Sequence, residues 1–222
     1  MYSFPYFTEK DQKIILDFIS ENPFAFLTGS TLSGEQVATQ IPILFIKKGN
    51  DLVLQGHIMR NTDHHKALSE NPEALIVFSG PHCYVSASWY SNPKIGSTWN
   101  YMSVHMNGEI KFMNDGDLIQ FMKKLTLKFE EGNSKSPTFY DNLPDEFLNK
   151  MMPAIVGFEL KVKSIKNTFK LSQNRDKDSY LNIISHLKNQ DYNSIMIAEE
   201  MEKRLNELFP PDSVWDEKRF SS

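Results

Sequence analysis

The sequence predicts a mostly β fold of the α+β kind, an antiparallel barrel or closed sandwich with flanking helices. Two observations support this fold class. Short runs rich in β-branched and aromatic residues follow one another through the first half of the 222-residue chain. The connections between these runs are of hairpin length, too short for the crossovers that a parallel sheet needs. Hydrophobic residues make up 40% of the chain, enough for one sizeable core with an appended helical piece.

The first half of the chain predicts a helix, three strands, a short helix and three further strands. Apolar spacing places the first helix over residues 9–21, with Thr8 and Asp11 as its capping pair. Thr62 or Asp63 caps the short helix, and Pro42 predicts an edge or a bulge in the second strand. The predicted strands are 24–29, 36–46, 52–57, 74–79, 80–90 and 98–109, and the short helix ends at residue 70.

The second half predicts helices, interrupted by one late strand. Helices are expected over residues 115–129 and 144–151, a strand over 155–162, and two polar helices over 179–188 and 194–208. We therefore expect a barrel domain over residues 1–170. Residues 171–222 should form a C-terminal loop and a helical appendage packed on the barrel.

Composition excludes several classes of protein. The single Cys83 excludes an internal disulfide framework and a cysteine-rich zinc finger, and it fits a reducing compartment. No apolar run has the length of a signal peptide core or a membrane span, so a cytoplasmic protein without a membrane partner is expected. The net charge of −4 and the absence of a helix-turn-helix signature give no basis for predicting direct DNA binding.

Hydroxyl and aromatic side chains gather between residues 80 and 109. Strand alternation would place Tyr84, Ser86, Ser88 and Tyr90 on one face, and the following run contributes Trp99, Asn100 and His105. Such groups suit a flat ligand with a polar rim. They are also typical of the solvent-exposed outer face of a sheet, which is the interpretation that periodicity alone favours.

Two further clusters carry basic and polar groups. The first follows the third strand and contains His57, Arg60, Asn61, Thr62 and Lys66. A strand end leading into a helix N-terminus can hold a phosphate, although an ordinary capped surface helix has the same composition. The second contains Lys170, Ser172, Gln173, Asn174 and Arg175, and it could equally be a plain linker. Gly-rich nucleotide loops, a G-x-S-x-G elbow and H-E-x-x-H are absent, and no metal site is predicted.

Four segments of the chain are GPHCYVSASWY, TWNYMSVHMNGE, MMPAIVGFEL and KLSQNR. In this order and at these separations, they closely resemble the PaiB family, which is described as FMN-binding negative transcriptional regulators. The resemblance extends from residue 1 to about residue 208. It implies an antiparallel Greek-key split β-barrel related to pyridoxamine 5′-phosphate oxidases, a homodimer, and FMN in a groove between subunits.

The resemblance also implies roles for individual residues. Related proteins anchor the FMN phosphate at the end of the second strand, here Thr39 and Gln40, and between the third strand and the next helix, here residues 57–66. The chain departs from the pattern at Gln40, Thr62 and Asp63, where His, Asn and Pro are expected. It also lacks the arginines and lysine of the oxidases near Thr39 and near Asp63–His64, so Arg60 and Lys66 are the remaining cations.

The expected ligands of the ribityl phosphate are Arg60, Lys66, Thr39, Ser86 and Ser88. Trp99, Asn100 and the segment Lys170, Gln173, Asn174, Arg175 are expected at the rim of the flavin ring. If the protein is an enzyme, it is a flavin-dependent oxidoreductase whose catalytic residues the sequence does not identify. Two alternatives remain: a regulator that works through a partner without bound flavin, and a haem-binding split barrel.

Overall fold

The computed structural model describes residues 4–49, 51–211, 216 and 220. Within these residues the chain forms seven β-strands and seven α-helices, joined by turns and short 3-10 helices. The elements are, in chain order, α1 (Gln12–Glu21), β1 (Phe24–Ser30), β2 (Gln36–Pro42), β3 (Leu44–Lys48), β4 (Asp51–Met59), α2 (Asp63–Glu70), β5 (Glu73–Val85), β6 (Thr98–Phe112), α3 (Asp115–Phe129), α4 (Asp145–Met151), β7 (Ile155–Lys170), α5 (Lys177–Leu187), α6 (Tyr192–Lys203) and α7 (Leu205–Leu208).

The seven strands form one sheet in the order β2-β1-β5-β6-β7-β4-β3. The pairs β1–β2, β1–β5, β3–β4 and β4–β7 are antiparallel. This confirms the predicted fold class, an antiparallel split-barrel sheet with flanking helices and further helices at the C-terminal end. No helix among the described residues is long and apolar enough to cross a bilayer.

The second predicted strand is wrong as a single element, because it breaks at Ile43. Pro42 has no N–H for a ladder, and the N–H of Ile43 donates to Pro23 O at 2.8 Å, which extends the β1–β2 pairing by one residue beyond Phe24 and Pro42 before the chain leaves this edge. The edge position predicted for Pro42 is confirmed, since β2 lies at one edge of the sheet. β3 lies at the other edge, so β2 and β3 are not neighbours in the sheet although they follow each other in the chain.

The predicted strands over 74–79 and 80–90 are one strand, β5, which ends at Val85. Gly80 does not interrupt it. A Cβ there would lie 2.4 Å from the Phe18 ring, so glycine makes room for that ring. After β5, Ala87–Trp89 forms a 3-10 helix capped by the Ser86 side chain. Ser88 and Tyr90 therefore do not share a strand face with Tyr84, contrary to the expected alternation.

The helices follow the predictions more closely than the strands. The bounds of α3 match, and Thr62 caps α2 as expected. Helix α1 begins later than predicted because Asp11 caps it instead of Thr8, its Oδ1 accepting from Lys13 N at 2.7 Å. The last predicted helix is divided into α6 and α7 at Arg204. Asn50, in the predicted turn before β4, and most of the chain beyond residue 211 lie outside the described residues.

The chain folds into two compact units. Unit 1 comprises Met1–Phe18, Ser79–Val104 and Lys166–Ser222, and unit 2 comprises Ile19–Phe78 and His105–Ile165. The expected domain boundary at residues 170/171 falls inside unit 1, and that division of the chain stays a prediction.

Each unit has its own apolar core. In unit 2, Leu118, Phe121 and Leu125 of α3 pack with Leu44 of β3 and Ile155 of β7. Unit 1 buries Tyr180 of α5, whose hydroxyl donates to Met201 O of α6 at 2.9 Å. The C-terminal helices are thereby fixed by a buried hydrogen bond as well as by apolar contact.

Candidate functional site

The predicted site residues divide between the two units. Unit 2 holds Thr39, Gln40, His57, Arg60, Asn61, Thr62 and Lys66, and unit 1 holds Ser86, Ser88, Trp99, Asn100, Lys170, Gln173, Asn174 and Arg175. We name residues 57–66 the 57–66 segment and residues 170–175 the 170–175 loop.

His57 begins the 57–66 segment, near the end of β4. It lies opposite Gly157 of β7, and its ring centroid is 6.0 Å from that of Phe121. Its Nδ1 is buried and has no hydrogen-bond partner among the described residues. Burial lowers the pKa of His57, so the imidazole is neutral near pH 7. A neutral ring with an unsatisfied nitrogen can bond a ligand without changing its charge.

The turn after β4 depends on Asn61, which has a φ of 65°. Asparagine tolerates this left-handed conformation better than most residues. Its N–H donates to His65 Nδ1 at 3.1 Å, and Thr62 Oγ1 accepts from His65 N at 3.3 Å while donating to Met59 O at 2.9 Å. The backbone N–H of Asn61 and the side-chain oxygen of Thr62 therefore stabilise the turn and cap α2.

The first turn of α2 already contains a carboxylate. Asp63 Oδ1 accepts from His64 N at 2.7 Å, so this side chain occupies part of the space in which an anion would meet the helix dipole. Lys66 is exposed one turn later, and it forms no ion pair with any described residue. Its charge is therefore available to an anion near this end of the helix.

Arg60 is bonded to the backbone that precedes and begins β7. Its Nε donates to Pro153 O at 3.1 Å and its Nη2 to Ile155 O at 3.0 Å, while its backbone N–H donates to Ala154 O at 2.8 Å. These bonds hold residues 153–155 against the end of β4. Nη1 takes part in neither of the two side-chain bonds and keeps its donors for another partner.

Thr39 and Gln40 lie on the edge strand β2, which contacts α2. Thr39 is half-buried opposite Leu27, and Gln40 is exposed opposite Phe26. The helix approaches β1 closely because residue 29 is glycine: an added Cβ would lie 2.7 Å from Leu68 Cδ2. Helix α2 also carries His64, whose Nε2 is buried without a partner among the described residues. Sequence reasoning did not single out this nitrogen.

In unit 1, the serine hydroxyls form a local cap. Ser86 Oγ accepts from Ser88 N at 3.3 Å, and the two hydroxyls are 2.8 Å apart. Trp99 is 53% exposed, and its ring lies 5.8 Å from His82 and 6.2 Å from Tyr84 by centroids. These aromatic rings form an exposed group on β5 and β6.

Asn100 differs from its neighbour Trp99 because it is fully buried. Its Oδ1 accepts from Ser172 Oγ at 3.0 Å, and its Nδ2 lies 3.6 Å from Met201 Sδ. Gln173 is buried as well: its Oε1 accepts from Leu171 N at 2.7 Å and its Nε2 donates to Phe169 O at 2.6 Å. Asn100 and Gln173 therefore hold the 170–175 loop in shape, a role that composition did not reveal.

Lys170, Asn174 and Arg175 of the loop are half-buried, and Lys170 and Arg175 carry its charge. Lys170 donates to Thr98 Oγ1, and burial together with the charge of Arg175 lowers its pKa. Arg175 places its guanidinium carbon 4.7 Å from the centroid of the Tyr90 ring. The Tyr90 hydroxyl is buried and has no hydrogen-bond partner among the described residues. The sequence placed Tyr90 on a strand face with Tyr84, and the 3-10 helix after β5 places it beside Arg175 instead.

Comparison with known proteins identifies the relatives of this chain. Residues 1–164 match the family model described as "Putative FMN-binding domain". "Protease synthase and sporulation protein PAI 2" of Bacillus subtilis is 34% identical over 206 residues, covering 92% of this chain and 98% of that protein. These matches confirm the PaiB-like resemblance, and the family model supports a flavin ligand.

Two solved structures share the fold. The FAD and haem binding protein from Mycobacterium smegmatis has a TM-score of 0.56 at 18% identity, covering 74% of this chain and 73% of its own. The flavocytochrome Anf3 from Azotobacter vinelandii has a TM-score of 0.51 at 16% identity, covering 76% and 72%. At these identities the similarity is one of fold.

Proposed function

Since the chain belongs to the PaiB-like family of FMN-binding domains, we propose that its flavin is FMN and that the 57–66 segment binds the FMN phosphate. The observation that carries this proposal is the state of Lys66. It is an exposed cation near the start of a capped helix, and it forms no ion pair among the described residues. Lysine is a common phosphate ligand at such positions.

The donors of unit 2 fit a phosphate. Arg60 keeps Nη1 beyond its two carbonyl bonds, and Lys66 supplies a second positive charge. The buried, unpartnered nitrogens of His57 and His64 can accept or donate one bond each. Asp63 opposes an anion, so two cations act against one carboxylate and the net local charge favours the phosphate.

The proposed activity is that of a flavin-binding regulator or redox protein. Bound FMN supplies the electron-transfer chemistry, and the protein supplies position and electrostatic environment. The related Bacillus subtilis protein is named for protease synthesis and sporulation, which supports a regulatory role here. We propose that the protein is cytoplasmic, because its free Cys83 fits a reducing compartment.

One absorption spectrum of the purified protein, before and after addition of FMN, tests the cofactor. We expect a flavin spectrum that stays with the protein through gel filtration. A protein that remains colourless after incubation with FMN would support a regulator without flavin and would contradict the proposal. A Soret band would indicate haem instead.

A comparison of FMN with riboflavin tests the phosphate site. Lys66→Ala should weaken FMN roughly tenfold or more, as expected for a bond to a charged group, and should leave riboflavin unchanged because it has no phosphate. Lys150→Ala is the matched control, since Lys150 is an exposed lysine of the same unit without an ion pair to the described residues. Equal weakening of both ligands would show that Lys66 does not bind the phosphate.

We also propose a homodimer. The sheet has two edge strands, β2 and β3, whose unpaired backbone groups are a liability in a monomer. Beside the β2 edge, β1 exposes Phe24 and Phe26 by 59% and 41%, which would favour a twofold contact. Light scattering should give twice the chain mass. A mass near 25.7 kDa at micromolar concentration would contradict the dimer.

A further inference from the structure

The 170–175 loop is held rigid by its inward-facing residues. Ser172 adopts a φ of 61° and donates to the buried Asn100, while Gln173 bonds Leu171 N and Phe169 O. These bonds use the polar atoms that face the interior. The charged residues Lys170 and Arg175 are left half-buried at a fixed position, as binding residues are when their support is preorganised.

Arg175 has no carboxylate partner among the described residues. Its neighbour Asp176 is fully engaged elsewhere: Oδ1 accepts from Ser179 N at 2.9 Å and from Ser91 Oγ at 3.1 Å, and Oδ2 accepts from Ser179 Oγ at 2.7 Å. The Arg175 guanidinium carbon lies 4.7 Å from the centroid of the Tyr90 ring, and a guanidinium has more N–H donors than this one neighbour can use.

Tyr90 provides an independent sign of a ligand. The residue is only 5% exposed, yet its hydroxyl makes no hydrogen bond of good geometry to the described residues. Such groups are rare because a buried unsatisfied hydroxyl costs free energy. Burial raises the pKa of Tyr90, and the nearby Arg175 opposes that shift, so the hydroxyl and the guanidinium are close to each other. The position of Tyr90 is not accidental, since the next residue is fixed to α5 by the bonds from Ser91 N to Ser179 Oγ and from Ser91 Oγ to Asp176.

Lys170 increases the positive charge at this position. Lys170 belongs to the same loop as Arg175, and burial, followed by the charge of Arg175, lowers the pKa of Lys170. Two cations and a hydroxyl donor on a rigid support form a complementary set for an oxyanion, which would relieve the repulsion and satisfy the hydroxyl.

We propose that Arg175, the Tyr90 hydroxyl and Lys170 form a binding site in unit 1 for a small oxyanion, a carboxylate or phosphate group of a substrate or effector. Every residue of this site belongs to unit 1, and none belongs to the 57–66 segment proposed for the FMN phosphate. We assign to the site an occupant other than the cofactor phosphate, because the 57–66 segment is already proposed to bind that phosphate.

Calorimetric titration of the full-length protein with inorganic phosphate, and separately with acetate, tests the site and distinguishes the two anions. We expect saturable binding of at least one anion. Arg175→Gln should weaken it roughly ten- to hundredfold, and Tyr90→Phe by a few-fold because one neutral donor is lost. Lys177→Gln is the matched control, because it removes an exposed charge two residues away; it should change the affinity less than twofold.

Two further measurements separate binding from structure and from the cofactor. Tyr90→Phe should leave the thermal midpoint unchanged or raise it, because the hydroxyl that it removes is unsatisfied. The proposal replaces the position at the rim of the flavin ring that the resemblance implies for Lys170 and Arg175, so FMN affinity should be the same in wild type, Arg175→Gln and Tyr90→Phe.

Three results would overturn the proposal. The first is no saturation by either anion up to about 10 mM. The second is an equal effect of Arg175→Gln and Lys177→Gln. The third is a loss of FMN affinity in Arg175→Gln that parallels the loss of phosphate, which would assign Arg175 to the cofactor.

Discussion

The 57–66 segment and the 170–175 loop contain the same types of residue, but the arginine of each region has different partners. Each has one arginine and one lysine beside a helix cap, Thr62 in the first and Asp176 in the second. In the segment, Arg60 donates to the carbonyl oxygens of Pro153 and Ile155. In the loop, Arg175 lies over an aromatic ring instead.

The different partners of Arg60 and Arg175 show that positive charge alone does not determine whether an arginine is available to bind a ligand. The deciding factor is the set of acceptors that the fold places around its N–H groups. Arg60 stabilises the start of β7 and keeps one terminal nitrogen, whereas the donors of Arg175 face no carboxylate among the described residues. We therefore expect the proposed phosphate affinity of the segment to depend mainly on Lys66, and the proposed oxyanion affinity of the loop to depend mainly on Arg175.

The largest expected effect tests the support of the 170–175 loop. Asn100→Ala removes the acceptor of the buried Ser172 hydroxyl and should lower the free energy of unfolding by about 1–3 kcal/mol. Asn174→Ala, at a half-buried asparagine of the same loop, should stay within about 0.5 kcal/mol. Urea denaturation of both variants measures the difference. Equal effects would show that the loop is not held by Asn100.

The next effect tests the two arginines directly. Arg60→Gln loses two bonds to backbone carbonyls and should destabilise the protein by about 1–2 kcal/mol. Arg175→Gln loses only the contact with the Tyr90 ring and should cost about 0.5 kcal/mol. Thermal unfolding of the two variants gives the order. A larger loss in Arg175→Gln would reverse the comparison and make Arg175 the structural arginine.

Local sequence signals predicted much of the fold. Periodicity and capping chemistry located α3 and the Thr62 cap, because these depend on residues close together in the chain. The break at Ile43 sends the chain to the opposite edge of the sheet, and the merger of two predicted strands into β5 depends on the contact of Gly80 with Phe18. Both features arise from residues distant in sequence, which periodicity does not report.

The candidate site was predictable in composition but not in the role of each residue. The sequence predicts cations at Arg60, Lys66, Lys170 and Arg175, and it groups Asn100 and Gln173 with them. In the structure, Asn100 and Gln173 are buried and support the loop. The 3-10 helix after β5 places Tyr90 beside Arg175. Whether a polar residue faces a ligand or the interior is decided by packing, which no motif encodes.

The two regions should also differ in their contribution to the pH dependence of the stability of the protein. Burial lowers the pKa of His57 and His64 from the ordinary value of 6.5. The unfolded chain binds protons at these two histidines more readily than the folded chain does. The contribution of the neutral histidines to the free energy of unfolding is therefore complete above pH 6.5. It is lost as the pH falls from 6.5 towards the lower pKa values of the folded state. The 170–175 loop has no group with an ordinary pKa in this range.

Thermal unfolding between about pH 7.5 and 5.5 measures this effect. We expect a lower midpoint at the acidic end, and a smaller decrease in His64→Gln, which cannot titrate. Arg175→Gln is the control from the loop and should keep the pH dependence of the wild type. The same decrease in His64→Gln and wild type would show that His64 does not contribute to it.

The smallest expected effect concerns DNA and uses a third group of cations, on the C-terminal helices. Here the acceptors are carboxylates: Lys188 pairs with Glu202 at 2.5 Å, and Arg204 with Glu200 at 2.6 Å and Glu9 at 3.4 Å. These carboxylates lie within the screening length of about 8 Å at physiological salt, so they would repel phosphates that the cations attract.

We therefore expect no sequence-specific binding in an anisotropy titration with the protein's own upstream region. The variant Glu200→Gln/Glu202→Gln should gain only weak, salt-sensitive binding, because it releases charge without creating contacts to bases. Submicromolar binding by the wild type that survives excess competitor DNA would contradict this expectation. It would show that the paired cations of α5 and α6 are available after all, and that acceptors within the fold do not decide which cations bind a ligand.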